Sequence, residues 1–447
     1  MRAAPVRKVA KIPLYRTLPR LARDPLKGFE QIGRESGGAL ARMHLGLTRP
    51  YLVTHPDHVQ HILRNPEIYR REGMMWEPIK RLEGDGIAGE GPLWQTSRRI
   101  LQPLFTAKNI TSLLKPMSAA VTEALDDLAA RSGNGPIDVA AEMTRIMHRV
   151  LIRVFFGNRI SLEDADRLCG AISSAFVSLG SRMLLPFVSE SIPLPGDRAF
   201  KRAVETVDQL MYPLIRECRA AGSDGDDLVA VLARAVDENG DRLDDKRVRD
   251  DVVAMFVAGT ETTALALTWV WLLLDAHPEV TKRLGEEVWE VVGDGAPQEE
   301  HLSKLVYTRM VLQETLRLYP VGWVLPRTAA KRDVIDGVEL KRGTTVVLSP
   351  YLTHRMDAFW DDPYAFIPER FTPDREQRRH RFAYFPFGAG VHQCLGSHFF
   401  TVEGQLVVAG MLSRFRPEVA GPRSLQPRAT ASLRPRVLPQ MLLHPRR

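Results

Sequence analysis

A glycine-rich loop that holds a cysteine and leads into an apolar helical pattern constrains this chain more than any other feature. The loop reads FGAGVHQCLG over residues 387–396, and SHFFTVEGQLVVAGMLSRF follows it directly. Glycines let backbone N–H groups approach the Cys394 sulfur, and the N-terminus of the next helix favours a thiolate there. A metal-ligating thiolate needs such donors. Cys394 is therefore a candidate metal ligand, and the alternative is a buried structural cysteine.

The other cysteines and the overall charge narrow the class of protein. Cys169 and Cys218 accompany Cys394, and an odd count without paired spacing argues against a disulfide framework or a zinc site. A reducing compartment is expected. The 61 basic and 54 acidic residues leave a net charge of +7, an excess too modest to predict nucleic-acid binding. It is compatible with attraction to an acidic protein partner.

The most apolar stretch lies in the middle of the chain, from Val252 to Leu274. The N-terminal segment is basic and punctuated by prolines, without the apolar core of a signal peptide or the roughly 20 apolar residues of an anchor. An unpaired Glu261 would be costly in lipid. The stretch therefore predicts a long buried helix in a cytoplasmic protein that has no membrane anchor.

Helical and strand-like patterns divide the chain without repeats or flexible linkers. Short strand-like runs occur up to about residue 65 and again over residues 333–353, while helical periodicity dominates residues 77–285. The pattern predicts a mainly α protein with small β-sheets. We expect a single domain over residues 1–447, with a β-rich lobe at about 1–65 and parts of 326–356, and a helical lobe formed by the remainder.

A polar run, AGTETT over residues 258–263, interrupts the long apolar helix at its middle. Gly and Thr are poor helix formers, and a Thr hydroxyl can take over the hydrogen bond of a backbone carbonyl and open a kink that admits water. The carboxylate of Glu261 beside the hydroxyl of Thr262 makes a plausible proton relay. A packing seam that tolerates Thr is the alternative.

The two motifs together resemble those of the cytochrome P-450 family, whose loop reads Phe-x-x-Gly-x-Arg/His-x-Cys-x-Gly. The resemblance implies a P-450 fold, in which a long oxygen-binding helix lies over haem b (iron protoporphyrin IX) and Cys394 is the axial ligand of the iron. A thiolate ligand favours O–O cleavage. Catalytic roles follow for Thr262, in the activation of O2, and for Glu261, in proton supply. Further cofactor contacts are implied for His392 (at a propionate), Phe387 (shielding the sulfur), Gly396, Ala258 and Gly259.

Two additional motifs match the family in order along the chain. Glu314 and Arg317 share one helix face, and with Arg370 they match the family's Glu-Arg-Arg triad, which implies a structural role. His354 matches a structural His-Arg pair. Without the resemblance, each of these residues would be interpreted as part of an ordinary surface.

The haem propionates and the substrate imply a further set of contacts. Trp94 and Arg98 have the spacing of the family's Trp-x-x-x-Arg helix, and with Arg327 they are expected to bind propionates; the alternative is a surface arginine in each case. Few charges occur in the segments expected to contact the substrate, which implies an apolar molecule, although core packing explains each residue equally well. The candidate pocket residues are Met74, Met75, Trp76, Phe256, Val257, Val321, Trp323 and Val324.

The resemblance implies a monomeric monooxygenase that inserts one oxygen atom from O2 into an apolar molecule, by hydroxylation or epoxidation. A terpenoid of secondary metabolism is the favoured substrate, and a fatty acid or a polyketide (macrolide) is the alternative. Electrons would come from a ferredoxin or flavodoxin and its reductase, steered by a basic run that could equally be a solvated loop: Arg375, Arg378, Arg379, His380 and Arg381.

Two other functions stay open from the sequence. A peroxygenase would consume H2O2 directly, and the Glu261–Thr262 pair argues against it. A non-catalytic haem sensor or carrier would need no proton relay. Product formation driven by NAD(P)H through a ferredoxin system separates all three functions.

Overall fold

The computed structural model describes residues 10–45, 48–73, 76–133, 135–178, 191–222, 225 and 227–446. Within these ranges helices dominate and the strands are short, so the prediction of a mainly α protein with small β-sheets is confirmed. The helices are Leu14–Arg23, Pro25–Ser36, Pro56–Arg64, Glu77–Glu83, Pro92–Leu101, Ala107–Ser132, Val139–Phe156, Leu162–Ser178, Asp197–Ala220, Leu228–Arg234, Asp245–Ala276, Pro278–Val291, Glu299–Leu302, Val306–Leu318, Pro350–Thr353, Pro373–Arg378 and Ser397–Arg414.

Most strands come from the two ends of the chain and from residues 325–348, and β5 lies between them. They are β1 (Ala10–Ile12), β2 (Ala41–Met43), β3 (Tyr51–Val53), β4 (Tyr69–Arg70), β5 (Ile137–Asp138), β6 (Leu325–Ala329), β7 (Asp333–Ile335), β8 (Val338–Leu340), β9 (Thr345–Leu348), β10 (Phe415–Ala420), β11 (Pro427–Ala429), β12 (Leu433–Pro435) and β13 (Gln440–Pro445).

The largest sheet joins the N-terminal strands to the later strand-like region. Its order is β1-β2-β3-β9-β6-β4, in which β3 and β9 are parallel and β9 and β6 are antiparallel. Side chains alternate between the two faces of a strand, and along β6 Arg327 and Ala329 are the buried residues. The sheet therefore carries a guanidinium group into the interior.

The apolar stretch forms one helix of 32 residues, Asp245–Ala276, which we call the central helix. The Asp244 carboxylate caps its N-terminus by accepting a hydrogen bond from the backbone N–H of Arg247. By length and composition this helix could cross a membrane, but 78% of its most apolar window is buried inside the fold. The prediction of a buried core helix is thus confirmed.

Three helices that pack against the central helix organise the interior. They are Val139–Phe156, Val306–Leu318 and Ser397–Arg414, which we call the last helix. Because the last helix begins at Ser397, directly after the cysteine loop, its packing holds that loop beside the core. The fold thereby brings the two motifs of the sequence together.

Candidate functional site

The Cys394 loop is a tight turn that requires glycine at two positions. Gly388 and Gly390 have φ angles of +64° and +73°, in the left-handed region that other residues avoid. A Cβ on Gly390 would lie 2.2 Å from the backbone oxygen of Leu63. The backbone N–H of Cys394 donates to the carbonyl of Phe387 across 2.9 Å and closes the turn.

Two groups near the Cys394 sulfur favour a thiolate in an otherwise apolar setting. Desolvation by the surrounding protein raises the pKa of the thiol, although its surface is accessible, and a hydrogen bond from the backbone of Gly396 and the positive charge of Arg98 oppose this effect in part. The half-buried ring of Phe387 packs 5.6 Å from the ring of Phe400 beside the loop. Backbone donors and a nearby cation are what a metal-bound thiolate requires.

Helix Pro92–Leu101 carries Trp94 and Arg98 to this loop on one helix face. The ring centroids of Trp94 and His392 lie 4.1 Å apart. Nη1 of Arg98 donates to the backbone oxygen of Gln393 across 2.7 Å. Because the i, i+4 spacing aligns the two side chains, Trp94, Arg98 and His392 form one cluster next to Cys394.

Three guanidinium groups converge on this cluster, from Arg71, Arg98 and Arg327. Arg327 is 5% exposed, and burial lowers the pKa of both Arg71 and Arg327 to about 10. Within the described residues, Glu90 is the one carboxylate at ion-pair distance from any of the three, with Oε2 4.0 Å from Nε of Arg71. The buried indole N–H of Trp76 also has no acceptor in that part of the chain.

This surplus of positive charge and of free donors fits a group that carries two carboxylates. A buried charge is stable only when it is paired. The two propionates of haem would provide the missing partners, next to a cysteine loop that can hold its iron. The residues present therefore fit haem. The ring of Trp76, predicted as a substrate contact, lies 5.7 Å from the guanidinium of Arg71 and 5.9 Å from that of Arg327.

Glu90 links the arginine cluster to the Cys394 loop. Its Oε1 lies 3.1 Å from Nε2 of His392, and its Oε2 accepts a hydrogen bond from the backbone N–H of Arg71 across 2.8 Å. Burial raises the pKa of Glu90, but these contacts outweigh burial and lower it to about 2. The sequence analysis missed Arg71 and Glu90, because no local pattern shows which arginine and which glutamate the fold brings together.

The central helix exposes two small residues on one face. Ala258 and Thr262 are accessible, while Val257, Thr260 and Thr263 around them are buried. The Thr262 hydroxyl donates to the backbone oxygen of Ala258. A side-chain hydroxyl thus shares a carbonyl of the helix backbone, as the sequence predicted.

Thr263 connects this part of the central helix to the last helix. Its hydroxyl neighbours the carboxyl group of Glu403, which lies in the first half of the helix that follows the Cys394 loop. Ala258, Thr262 and Cys394 are all accessible and lie on, or just before, the two helices that this contact joins, so we infer that they border one internal cleft beside the arginine cluster.

Glu261 faces a groove on another side of the central helix from Thr262. Its carboxylate pairs with Arg434 and accepts a hydrogen bond from Oγ of Ser432 across 2.9 Å. Both partners lie in the β11–β12 hairpin. The groove has a volume of about 690 Å³, and His148 and Asp166 also line it. The structure thus holds the candidate relay acid at this groove through Ser432 and Arg434, which the sequence analysis did not identify.

Glu403 is a second carboxyl group of this region that the sequence analysis missed. It is fully buried, and within the described residues neither carboxyl oxygen has a hydrogen-bond partner of good geometry. Burial raises the pKa of Glu403 to about 8, and the Thr263 hydroxyl opposes this effect only in part. A charged residue inside the apolar run SHFFTVEGQLVVAGM was the signal that could have revealed it.

We expect Glu403→Gln to stabilise the protein most at alkaline pH. The folded protein keeps the Glu403 proton up to about pH 8, whereas the unfolded chain releases it near the ordinary pKa of 4.5. Because the folded state binds more protons between these values, the free energy of unfolding falls as pH rises through this range. Glutamine has the same shape and no charge, so the variant should gain about 3–5 kcal/mol at pH 8 and little at pH 4.5.

Thermal and denaturant unfolding across this pH range measure the difference. The exposed Glu286 is the control, because Glu286→Gln should leave the pH dependence unchanged. A Glu403→Gln protein whose stability falls with pH as steeply as the wild type would contradict a neutral Glu403.

Glu314 and Arg317 form a fully buried ion pair, with both side chains 0% exposed. Arg317 donates to the two Glu314 oxygens across 2.6 and 2.7 Å, and Nε of Arg370 lies 3.3 Å from Oε1 of Glu314. Arg317 also donates to the backbone oxygens of His354 and Pro363. The three predicted residues are therefore brought together, away from the cleft.

His354 extends this network to the chain that enters the Cys394 loop. Nε2 of His354 accepts a hydrogen bond from the backbone N–H of Phe385 across 2.9 Å, and Nδ1 lies 3.2 Å from the backbone oxygen of Arg317. Burial, reinforced by the charge of Arg317, holds the pKa of His354 well below its usual range. The ring is thus neutral and ties helix Val306–Leu318 to the loop segment.

Several of the predicted site residues lie away from the cleft. Phe256 is 1% exposed and enclosed by the rings of Phe155, Phe156 and His148. It projects from a different side of the helix than Ala258, which corrects its assignment to the substrate pocket. Two others lie elsewhere on the central helix: Val257 lines the Glu261 groove, and the missing side chain of Gly259 leaves room for Leu151.

The segment after helix Val306–Leu318 is bound to the β11–β12 hairpin. The backbone oxygen of Val321 accepts from the N–H of Leu433, and the indole N–H of Trp323 donates to the Thr430 oxygen, each across 2.9 Å. Both side chains are buried, and Val324 is half-buried. The predicted contacts Met74 and Met75 lie outside the described residues.

The basic run before the Cys394 loop is only partly a surface. Arg379 packs over the ring of Trp360 at 4.1 Å, and His380 lies 3.1 Å from an oxygen of Asp57. Arg375, Arg378 and Arg381 are exposed. A groove beside the loop adds three further arginines that the run did not include: Arg64, Arg98 and Arg99.

Comparisons with known proteins agree with this arrangement. The Cytochrome P450 family model matches residues 9–442. The chain is 35% identical to a cyclooctat-9-en-7-ol 5-monooxygenase of Streptomyces melanosporofaciens over 91% of this chain and 88% of that protein. It is 31% identical to a pentalenene oxygenase of Streptomyces avermitilis, covering 92% and 89% of the two chains.

A solved structure shows the same fold. The crystal structure of the cytochrome P450DA haem domain superposes with a TM-score of 0.88 at 26% identity and covers 98% of each chain. The match extends over the cysteine loop, the central helix and both sheet regions, and it confirms the resemblance found in the sequence. The chain therefore belongs to the cytochrome P450 family and is a haem-dependent monooxygenase.

Proposed function

We propose that this enzyme uses O2 to hydroxylate or epoxidise a terpenoid of secondary metabolism. The observation that carries the proposal is the accessibility of Cys394 and of the Ala258–Thr262 face of the central helix, next to buried arginines that could hold the haem propionates. Two relatives bear the names of terpenoid oxygenases, a cyclooctat-9-en-7-ol 5-monooxygenase and a pentalenene oxygenase. A soluble, cytoplasmic monomer that contains haem b is the form that we propose.

Each part of the cleft has a defined task in this proposal. Haem bound through a cysteine thiolate supplies the chemistry of O2 cleavage. Cys394 provides that thiolate, and the backbone of Gly396 and the charge of Arg98 favour its deprotonated form. The guanidinium groups of Arg71 and Arg327 hold the propionates, because within the described residues Arg327 has no carboxylate at ion-pair distance and Arg71 has only Glu90, at 4.0 Å.

Proton supply is assigned to Thr262 and Glu261. The Thr262 hydroxyl is accessible at the cleft and can turn away from the Ala258 oxygen to hold a proton there. Glu261 contacts the Glu261 groove described above, so it can take up protons from solvent there when its ion pair with Arg434 opens. Thr262 and Glu261 are adjacent in the central helix, so together they connect the cleft to the Glu261 groove.

Electrons are proposed to come from an acidic ferredoxin or flavodoxin and its reductase. The groove beside the Cys394 loop offers Arg64, Arg98 and Arg99, and Arg375 and Arg378 are exposed nearby in sequence. Such a cluster attracts an acidic partner over a long range. The buried Arg379 takes no part in this surface.

Replacement of Thr262 tests the proposed proton supply. We expect Thr262→Ala to oxidise NAD(P)H at a similar rate but to lower the product formed per NAD(P)H roughly a hundredfold, the lower end of the about 10²–10⁴-fold that general acid–base groups contribute. The lost electrons should appear as H2O2. The measurement is a reconstituted turnover assay with a ferredoxin system and terpenoid substrates, followed by product and peroxide analysis.

Thr260 provides a matched control on the same helix. Its hydroxyl also donates to a backbone oxygen, that of Phe256 at 2.9 Å, but its side chain is buried away from the cleft. Thr260→Ala should retain the wild-type product yield. Full yield in Thr262→Ala would remove Thr262 from the relay, and product from H2O2 alone at the same rate would favour a peroxygenase.

A further inference from the structure

Glu83 ends the short helix Glu77–Glu83, and the chain on both sides of it is fixed against the N-terminal part of the central helix. The backbone oxygen of Leu82 accepts a hydrogen bond from Nη1 of Arg249 across 2.8 Å. Gly84, with a φ of +68°, is so close to Asp250 that a Cβ would lie 2.1 Å from its carboxylate. The backbone at Glu83 is therefore held in place by its neighbours on both sides.

The same segment lies over the face of the central helix that borders the cleft. The backbone N–H of Ile87 donates to Asp251 across 2.7 Å. Asp251 precedes Ala258 by seven residues and Thr262 by eleven, so all three side chains point to nearly the same side of the helix. Glu83 thus lies on the cleft side of the central helix.

On the side away from the central helix, Glu83 neighbours Arg71, which is close to the Cys394 loop. Glu83 interacts with the charge of Arg71, whose guanidinium lies 5.6 Å from the centre of the Trp94 ring. Trp94 in turn packs 4.1 Å from His392. Glu83 is therefore situated between the central helix and the loop that carries Cys394.

The Glu83 carboxyl group differs from the acidic residues that follow it. Asp250 is bound by Lys246 and Arg249, and Asp251 by Ser97 and the chain at Ile87. Glu83, in contrast, has no hydrogen bond or ion pair within the described residues, although it is only partly accessible. Burial raises the pKa of Glu83 to about 8, against the opposing charge of Arg71. At neutral pH it is an uncharged group that can both donate and accept a hydrogen bond.

An enclosed polar group without a partner is costly, and a ligand that supplies the partner recovers this cost. In an apolar pocket, a few such groups fix the orientation of the ligand. A fatty-acid carboxylate suits this position poorly, since it would place a second acidic group against Glu83. A pure hydrocarbon would leave Glu83 without a partner.

We propose that Glu83 binds the hydroxyl group of a terpenoid alcohol, so that the substrate is already oxygenated when it reaches this enzyme. The inference rests on the proposed terpenoid oxidation and adds the functional group that is recognised. The reaction before this step must then introduce a hydroxyl group into the hydrocarbon, by hydration during cyclisation or by an earlier oxidation. The present enzyme adds its oxygen at another carbon.

Binding titrations of the haem-loaded enzyme test this proposal without turnover. The probes are cedrol and cedrene, a tricyclic sesquiterpene alcohol and the hydrocarbon that differs from it by one molecule of water. Binding is read as the shift of the haem absorption. We expect the wild type to bind cedrol about tenfold more tightly than cedrene, the effect of roughly one well-made hydrogen bond.

Two variants of Glu83 separate hydrogen bonding from shape. Glu83→Leu should lose the tenfold preference by weakening the binding of cedrol, while cedrene binds as tightly as before or more so. Glu83→Gln keeps a donor and an acceptor and should retain most of the preference. Asp85→Asn, at an exposed carboxylate of the same loop, is the control and should change neither dissociation constant.

Equal binding of the two probes by the wild type, or an unchanged preference in Glu83→Leu, would overturn the role of Glu83. Neither result would affect the turnover assay with Thr262→Ala, which tests the proposed monooxygenase separately. Conversely, a lack of turnover with a preserved cedrol preference would reject the reaction and leave the recognition of the hydroxyl group in place.

Discussion

Cys394→Ala is expected to abolish the red-shifted Soret band that the reduced, CO-bound enzyme shows when a thiolate ligates haem. Product formation should fall to the level of free haem, because no other sulfur lies in the loop and the push of electron density from the thiolate is lost. The arginine cluster should still retain some haem through its propionates. The absorption spectrum and turnover, both normalised to haem content, give the result.

The two remaining cysteines are controls within the same chain. Cys169 and Cys218 are buried, and burial raises the pKa of each thiol. Because both cysteines lie in helices outside the glycine-rich loop, Cys169→Ala and Cys218→Ala should keep the wild-type band and activity. If the band persists in Cys394→Ala, the assignment of the axial ligand is wrong.

Removal of the buried carboxylate of Glu314 should be the most destabilising substitution in this chain. Glu314→Ala leaves the guanidinium of Arg317 in the interior without its partner, and the loss of one member of a buried pair costs about 3–5 kcal/mol. The backbone N–H of Ile367, which donates to Oε1 of Glu314, would lose its acceptor as well. We expect a large fall in the unfolding midpoint together with a low yield of haem-containing protein.

An exposed pair of the same spacing is the control for this prediction. Asp164 and Arg167 also stand at i and i+3, but their side chains are 40% and 50% exposed. Exposed pairs contribute about 0–1 kcal/mol, so Asp164→Ala should leave the unfolding midpoint nearly unchanged. Equal effects of the two substitutions would show that burial does not govern the strength of the Glu314 pair.

The connection of this pair to the cysteine loop explains why haem content is the second measurement. Arg317 donates to the backbone at His354, and His354 accepts from the N–H of Phe385, just before the loop. Loss of Glu314 therefore frees the segment that positions Cys394. A Glu314→Ala protein that unfolds more easily but retains haem normally would contradict the role of Glu314 in positioning the Cys394 loop.

Local motifs predicted the parts of the site that lie within a few residues of one another. Three motifs depend only on local backbone conformation or on one helix face: the Cys394 loop, the Trp94–Arg98 spacing and the polar run in the central helix. Residue 390 must be glycine because of its positive φ angle and its closeness to Leu63, and a cluster of glycines can be recognised from the sequence alone. The identification of the family followed from these motifs.

Residues whose role depends on distant partners escaped the prediction or were misplaced. Arg71 and Glu90 are ordinary charged residues in the sequence, and they become part of the cluster only because the β4 segment and the loop before helix Pro92–Leu101 meet. Phe256 was expected in the substrate pocket because it lies about one turn before the polar run of the central helix. The rotation of the helix turns it toward Phe155 and Phe156 instead.

The sequence by itself determined the family, the axial ligand to be tested and the long buried helix, because each depends on covalent order and on helical or turn geometry over a short stretch. The tertiary structure alone decided which charges are paired. Within the residues that the structure describes, Arg327 is buried without a carboxylate at ion-pair distance, Glu261 has the partner Arg434, and the partly buried Glu83 has no hydrogen bond or ion pair. Pairing and burial arise from contacts between residues far apart in the chain, and those contacts set the pKa of a group and the chemistry that it can perform.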